Sequence, residues 1–116
     1  MTRLDALLAL GRRSDALALF EAMTPEDLAR MPRPGDVELT RAELLAEAGR
    51  CTEALPGFDD VLSQSHTLLE ERALYGRASC LGALGRYDES KRDLSRYLAL
   101  YPQGRFAVQV RAALHR

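Results

Sequence analysis

The chain repeats itself, and the repeat restricts its fold more than any other feature. Three segments align without gaps: Gly11 to Phe20, Gly49 to Phe58 and Gly85 to Leu94. Each reads Gly-Arg, two variable residues, an acid, a small residue, three further residues and a large apolar one. Leu7, Leu45 and Leu81 each stand four residues before the glycine, which extends the agreement upstream. Gly11 and Gly49 lie 38 residues apart, Gly49 and Gly85 36 apart. A period of that size marks an array of stacked supersecondary units, because one such unit cannot bury its apolar face alone.

Each unit has the marks of two helices joined by a tight turn. Glycine reaches the left-handed conformation that ends a helix at no steric cost. Ser14, Thr52 and Asp88 follow three residues later as candidate caps of the next helix. Asp15, Glu53 and Glu89 then fall in its first turn, where the helix dipole favours negative charge. Ala16, Ala54 and Ser90 are small enough for the second helix to approach the first closely. The pattern predicts seven helices and no sheet, at about 2–10, 14–23, 37–48, 53–64, 69–84, 88–100 and 105–115. Pro56 is expected in a first turn, where a missing amide proton costs little. Thr24 to Asp27 reads as the start of a helical turn, and Met31 to Gly35 as a connector. The last helix carries Phe106, Val110 and Ala113 as an apolar stripe, with Arg105, Gln109 and Arg116 towards solvent.

Composition agrees with helices and excludes several classes of function. A chain of 116 residues is one domain's worth of polymer, and 47% hydrophobic with 28% charged residues is a globular balance. Lys91 is the only lysine, and asparagine, isoleucine and tryptophan are absent, a skew that fits a GC-rich, bacterial genome. Leu and Ala without Ile tilt local preference towards helix. The net charge of −1 leaves no electrostatic footprint for nucleic acid or an anionic membrane. No run approaches the roughly 18 apolar residues of a membrane span, and Asp5 interrupts any leader-like stretch. These features fit a cytoplasmic protein, or an excised domain of a larger envelope protein.

Helix-turn-helix units with this pattern resemble the tetratricopeptide repeat (TPR). Leu74 to Pro102 carries the resemblance best, with Ala78, Leu81, Gly85, Tyr87, Ser90, Leu94 and Pro102 at family-like places. The second unit matches with Ala42, Leu45, Gly49, Ala54 and Phe58, but has Cys51 where an aromatic is usual. The first unit matches only from Leu7 onward, and Tyr97 replaces a small residue. The resemblance implies an all-α fold, a right-handed α-superhelix of about three TPR-like hairpins plus a C-terminal capping helix. It divides the domain into a truncated repeat 1 at about 1–23, a connector at 24–35, repeat 2 at about 36–66, repeat 3 at about 69–102 and a cap at about 105–115.

The resemblance also implies a concave groove that holds a peptide or helix of a partner protein. Projected onto this chain, it nominates Asp5 and Leu8 from the first unit and Leu39, Glu43, Ala46 and Glu47 from the second. Arg72, Tyr75, Ser79 and Gly82 come from the third unit, and Gln109 from the cap. The charged members also fit a plain solvated face. Clamps for carboxylate tails in this family use lysine and asparagine in the groove; this chain has no asparagine and only Lys91, on a second helix, which disfavours chaperone-tail binding. The stretch from Asp93 to Ala107 looks like repeats of bacterial envelope proteins and of membrane-bound anti-sigma regulators.

Cys51 and Cys80 sit on faces that stacking brings together. They are either small buried thiols or a disulfide, which would close a loop of roughly 30 residues and indicate an oxidising compartment. His66 and His115 have no partner at metal-ligand spacing, and Gly82 with Gly85 form no phosphate loop. No cofactor, metal site or catalytic constellation is expected, and the function expected is a non-catalytic protein-binding scaffold, as a monomer or weak homo-oligomer. The alternative is a structural module that stacks end to end through Leu4, Leu7 and Leu8 of its shortened first unit.

Overall fold

The computed structural model describes residues 13–24, 26, 27, 30, 34–64 and 68–115. Six α-helices run through them: α1 (Arg13–Ala22), α2 (Pro34–Glu47), α3 (Cys51–Ser63), α4 (Glu70–Ala83), α5 (Tyr87–Leu100) and α6 (Ala107–Leu114). No strand occurs among the described residues. These are six of the seven expected helices. The helix expected at 2–10, the groove candidates Asp5 and Leu8, and His66 lie outside the described residues.

Two turns organise the stack, and both follow from the Leu-x-x-x-Gly-Arg pattern. Gly49 and Gly85 adopt φ of 79° and 80°, the region open to glycine. The Arg50 amide donates to Leu45 O at 2.9 Å and the Gly49 amide to Ala46 O at 3.0 Å. One repeat later, the Arg86 amide donates to Leu81 O at 2.8 Å and the Gly85 amide to Gly82 O at 3.1 Å. This is the Schellman arrangement, in which the residue after the glycine bonds back to the carbonyl five positions earlier. The repeated leucines are therefore doubly used: their side chains are buried and their carbonyls close the turn.

The turns are tighter than the sequence suggests, which corrects the expected caps. Arg50 and Arg86 already accept the first bonds of the next helix, from the Ala54 amide at 3.1 Å and the Ser90 amide at 3.0 Å. Cys51 and Tyr87 therefore open α3 and α5, leaving Thr52 and Asp88 inside the first turn, and neither helix has a side-chain cap. Glu53 and Glu89 reach back three residues to pair with Arg50 and Arg86. The Gly-Arg-x-x-acid motif thus encodes a turn and an ion pair together. The early start of α3 also places Pro56 beyond the first turn, where it withholds a bond from Thr52 O. Both residues are exposed, so water can satisfy that carbonyl. At the connector, α2 begins at Pro34 rather than 37, because proline suits a first helical position. The expected turn after Thr24 is present: the Thr24 amide donates to Asp27 Oδ2 and the Asp27 amide to Thr24 Oγ1, both at 3.1 Å, a reciprocal capping box.

Consecutive helices pack against each other along the chain, and α2 also touches α4. The first helices of successive hairpins therefore share a face. The core forms two clusters joined through α4. Ala73 and Cys80 face α1 to α3, while Leu74 and Ala78 face α5 and α6 with Leu94, Tyr97, Ala107 and Val110. Helices α3 and α4 meet so closely that a Cβ at Gly76 would collide with the buried Phe58 ring. Cys51 and Cys80 tie the same two helices: their Cα atoms are 5.1 Å apart and the sulfurs lie at disulfide distance.

Candidate functional site

Helix α4 is the spine of the candidate site, because Arg72, Tyr75 and Ser79 follow at i, i+3 and i+7 and so share one face. On the α2 side, Arg72 Nε donates to Glu43 Oε2 at 3.3 Å, and a second guanidinium nitrogen contacts Glu43 Oε1. On the α6 side, the Tyr75 ring stacks on Phe106, with centroids 4.2 Å apart and planes within 3°. The face is thus stitched by an ion pair at one end and an aromatic pair at the other.

Between these helices a groove of about 610 Å³ opens over α5. Tyr75, Ala78, Ser79, Gly82 and Ala83 of α4 form one wall, Gln109 and Ala113 of α6 the other. The floor comes from Tyr87, Ser90, Lys91 and Leu94 of α5. Ser90 is engaged internally, its hydroxyl donating to Ala78 O at 2.8 Å, which fixes how closely α5 lies under α4. Lys91 is the only charged residue in the lining.

A polar latch holds α6 in place as the second wall. Tyr97 is fully buried, its hydroxyl donates to Glu71 Oε2, and it accepts from the Phe106 amide at 2.8 Å. Glu71 also receives the Arg105 amide at 2.8 Å. Burial first, then the bond to Glu71, pushes the Tyr97 hydroxyl up to about 12, so it remains a donor at any physiological pH. The Tyr97 hydroxyl thus links α4 to the start of α6.

The opposite side of the stack is chemically different. A cavity of about 300 Å³ between α3 and α5 is lined by Asp59, Arg77, Arg86, Glu89, Arg92 and Asp93, with Leu55 and Leu81. Arg77 makes a bidentate pair with Asp93, at 2.7 and 2.8 Å, and reaches Asp59 at 3.2 Å. The hydrogen bonds to Asp93 raise the guanidinium's pKa further, against desolvation. Most of these charges are spent on one another and hold helices together.

Of the residues nominated from sequence, Tyr75, Ser79, Gly82 and Gln109 line the groove. Glu43 and Arg72 lie on the same face but neutralise each other, and Glu47 is exposed at the end of α2. Leu39 is a correction: it is fully buried in the core cluster shared by α1 to α4 and has no surface to offer a partner. Ala46 packs partly buried against that core. Sequence reading missed Tyr87 and Lys91, which sit on a second helix and yet reach the floor, and Phe106, which supports Tyr75. Among the described residues no group of three or more His, Cys, Asp or Glu is placed to hold a metal ion. No helix among them is long and apolar enough to cross a membrane.

Residues 72–104, which span most of α4, all of α5 and the turn before α6, match the family model of the Tetratricopeptide repeat. That segment is similar to one TPR unit, and the described helices pack consecutively as such a repeat would. No curated protein and no solved structure matches the chain. The matched segment contains one wall and the floor of the groove, together with Glu71's partner Tyr97. The repeat that this segment resembles is a protein–protein interaction module, and the segment borders the groove.

Proposed function

We propose that the protein is a non-catalytic interaction scaffold that holds a peptide or helix of a partner protein in the groove between α4, α5 and α6. The observation that carries this reading is the groove itself: about 610 Å³, walled by Tyr75 and Ser79 of α4 and Gln109 of α6. Its lining is mainly apolar with a few convergent polar groups, the usual make-up of a binding surface. The pairing of Cys51 with Cys80 leaves neither thiol as a nucleophile, which supports the non-catalytic reading. The same pair favours an oxidising compartment, and with it a role in the bacterial envelope or in a membrane-bound anti-sigma-type regulator.

Affinity capture with the wild type and with Ser79→Arg, from cytoplasmic and envelope fractions separately, tests the proposal. Ser79 is exposed, so an arginine fills the groove without disturbing the core. A partner held by the wild type and lost with Ser79→Arg is expected, from the envelope fraction if the disulfide reports the compartment. A partner held equally by both proteins would reject the groove. The end-to-end alternative rests on Leu4, Leu7 and Leu8, outside the described residues; sedimentation showing an obligate dimer or chain would favour it.

A further inference from the structure

We infer that the groove selects an acidic segment of its partner, with an apolar side chain seated against the rings of Tyr75 and Tyr87 and a carboxylate paired with Lys91. This rests on the groove-binding function above and adds the chemistry of the occupant. Helix α6 has 8 residues where α5 beneath it has 14, about 12 Å against about 21 Å. It starts beside Tyr97, held by the Phe106 amide, and so stops short of the first turn of α5. At that end Tyr87 is 65% exposed and Lys91 is exposed. A helix of full length would cover this strip; a partner segment can take its place.

Charge decides which segment. No arginine lines the groove, and three on or beside the flanking helices are engaged elsewhere: Arg72 by Glu43, Arg77 by Asp93 and Asp59, Arg86 by Glu89. Lys91 has no ion pair among the described residues, and the rest of the lining is neutral. A single uncompensated ammonium beside an apolar floor attracts a carboxylate and repels a cationic segment. Its flexible stem suits a point contact and not a fixed bidentate clamp. The opposite cavity carries no net charge, since Asp59, Glu89 and Asp93 balance Arg77, Arg86 and Arg92.

The test pans a library of random short peptides against the full chain, then measures enriched peptides by fluorescence anisotropy on the wild type, Lys91→Ala, Lys91→Glu and Ser79→Arg. Enriched peptides are expected to carry Asp or Glu near a Leu, Met or Phe. Lys91→Ala should weaken them about 5-fold, the scale of one exposed ion pair. Lys91→Glu should weaken them more, and changing the peptide's acid to lysine should restore binding to that variant. Peptides lost with Ser79→Arg yet unchanged by Lys91→Glu would overturn the acidic selection and leave the groove intact. Peptides indifferent to Ser79→Arg, or no enrichment at all, would overturn groove binding itself. Thermal melts of the Lys91 variants should match the wild type, since Lys91 holds no described element in place.

Discussion

Reducing the Cys51–Cys80 bridge perturbs the unfolded chain while leaving every side chain of the fold in place. The two cysteines are 29 residues apart, and both are buried, Cys80 completely. Closing a loop of that length removes about 3.5 kcal/mol of chain entropy from the unfolded state on the loop-closure model. For a domain of this size, that difference corresponds to a melting-temperature shift of about 10 to 15 °C. The assay compares oxidised and fully reduced wild type by calorimetry in one buffer, after titrating thiols in freshly isolated, unfolded and unreduced protein. No reactive thiol and a melting point lowered by roughly that amount are expected. Two reactive thiols at isolation, or a shift within about 3 °C, would refute the bridge as a staple between α3 and α4 and remove the argument for an oxidising compartment. Alanine variants are a poorer test, because losing two buried sulfurs also opens cavities.

Three further perturbations test the packing, the latch and the titration. Gly76→Ala should destabilise by about 1 to 3 kcal/mol in urea unfolding despite alanine's better helix propensity, because its methyl meets the Phe58 ring; a gain would contradict the close α3/α4 contact. Tyr97→Phe should cost about 1 to 3 kcal/mol, since Glu71 and the Phe106 amide each lose a partner, and amide exchange at the start of α6 should rise; unchanged exchange would deny the latch. Burial, then the hydrogen bond and charge of Asp60, push Glu38 up to about 7 although Arg41 opposes them. The folded state then binds more protons than the unfolded one between about 4.5 and 7, so Glu38's contribution is full below about 4.5 and lost as pH rises through 7. Glu38→Gln should flatten that fall and gain about 1 kcal/mol at pH 8 after allowing for solvent screening; parallel pH profiles would refute it.

The architecture was legible wherever a local constraint left a mark in sequence. Gly49 and Gly85 could be read because a positive φ demands glycine, and the leucine four residues before each one marks the carbonyl that closes the turn. The exact start of each helix was not legible. Thr52 and Asp88 have the chemistry of caps, but the one-residue economy of the turn gives that position to Arg50 and Arg86. At the site, the helical spacing of Arg72, Tyr75 and Ser79 was enough to place them on one face. Leu39 showed the limit of such projection: its position in the unit suited a groove, yet it is fully buried in the core cluster that α1 to α4 share. Lys91 and Phe106 join the site only through contacts across the stack, and Tyr97 reaches Glu71 from 26 residues away. The one trace of Lys91 in the sequence is that it is the single lysine.

Chemical-shift mapping of the isotope-labelled protein, titrated with the tightest peptide selected by panning, tests groove binding most directly. The largest shifts should fall on Ser79, Gly82, Tyr87, Lys91 and Gln109, around the groove. Shifts centred on Asp59, Arg77 and Arg92, across the stack, would contradict it.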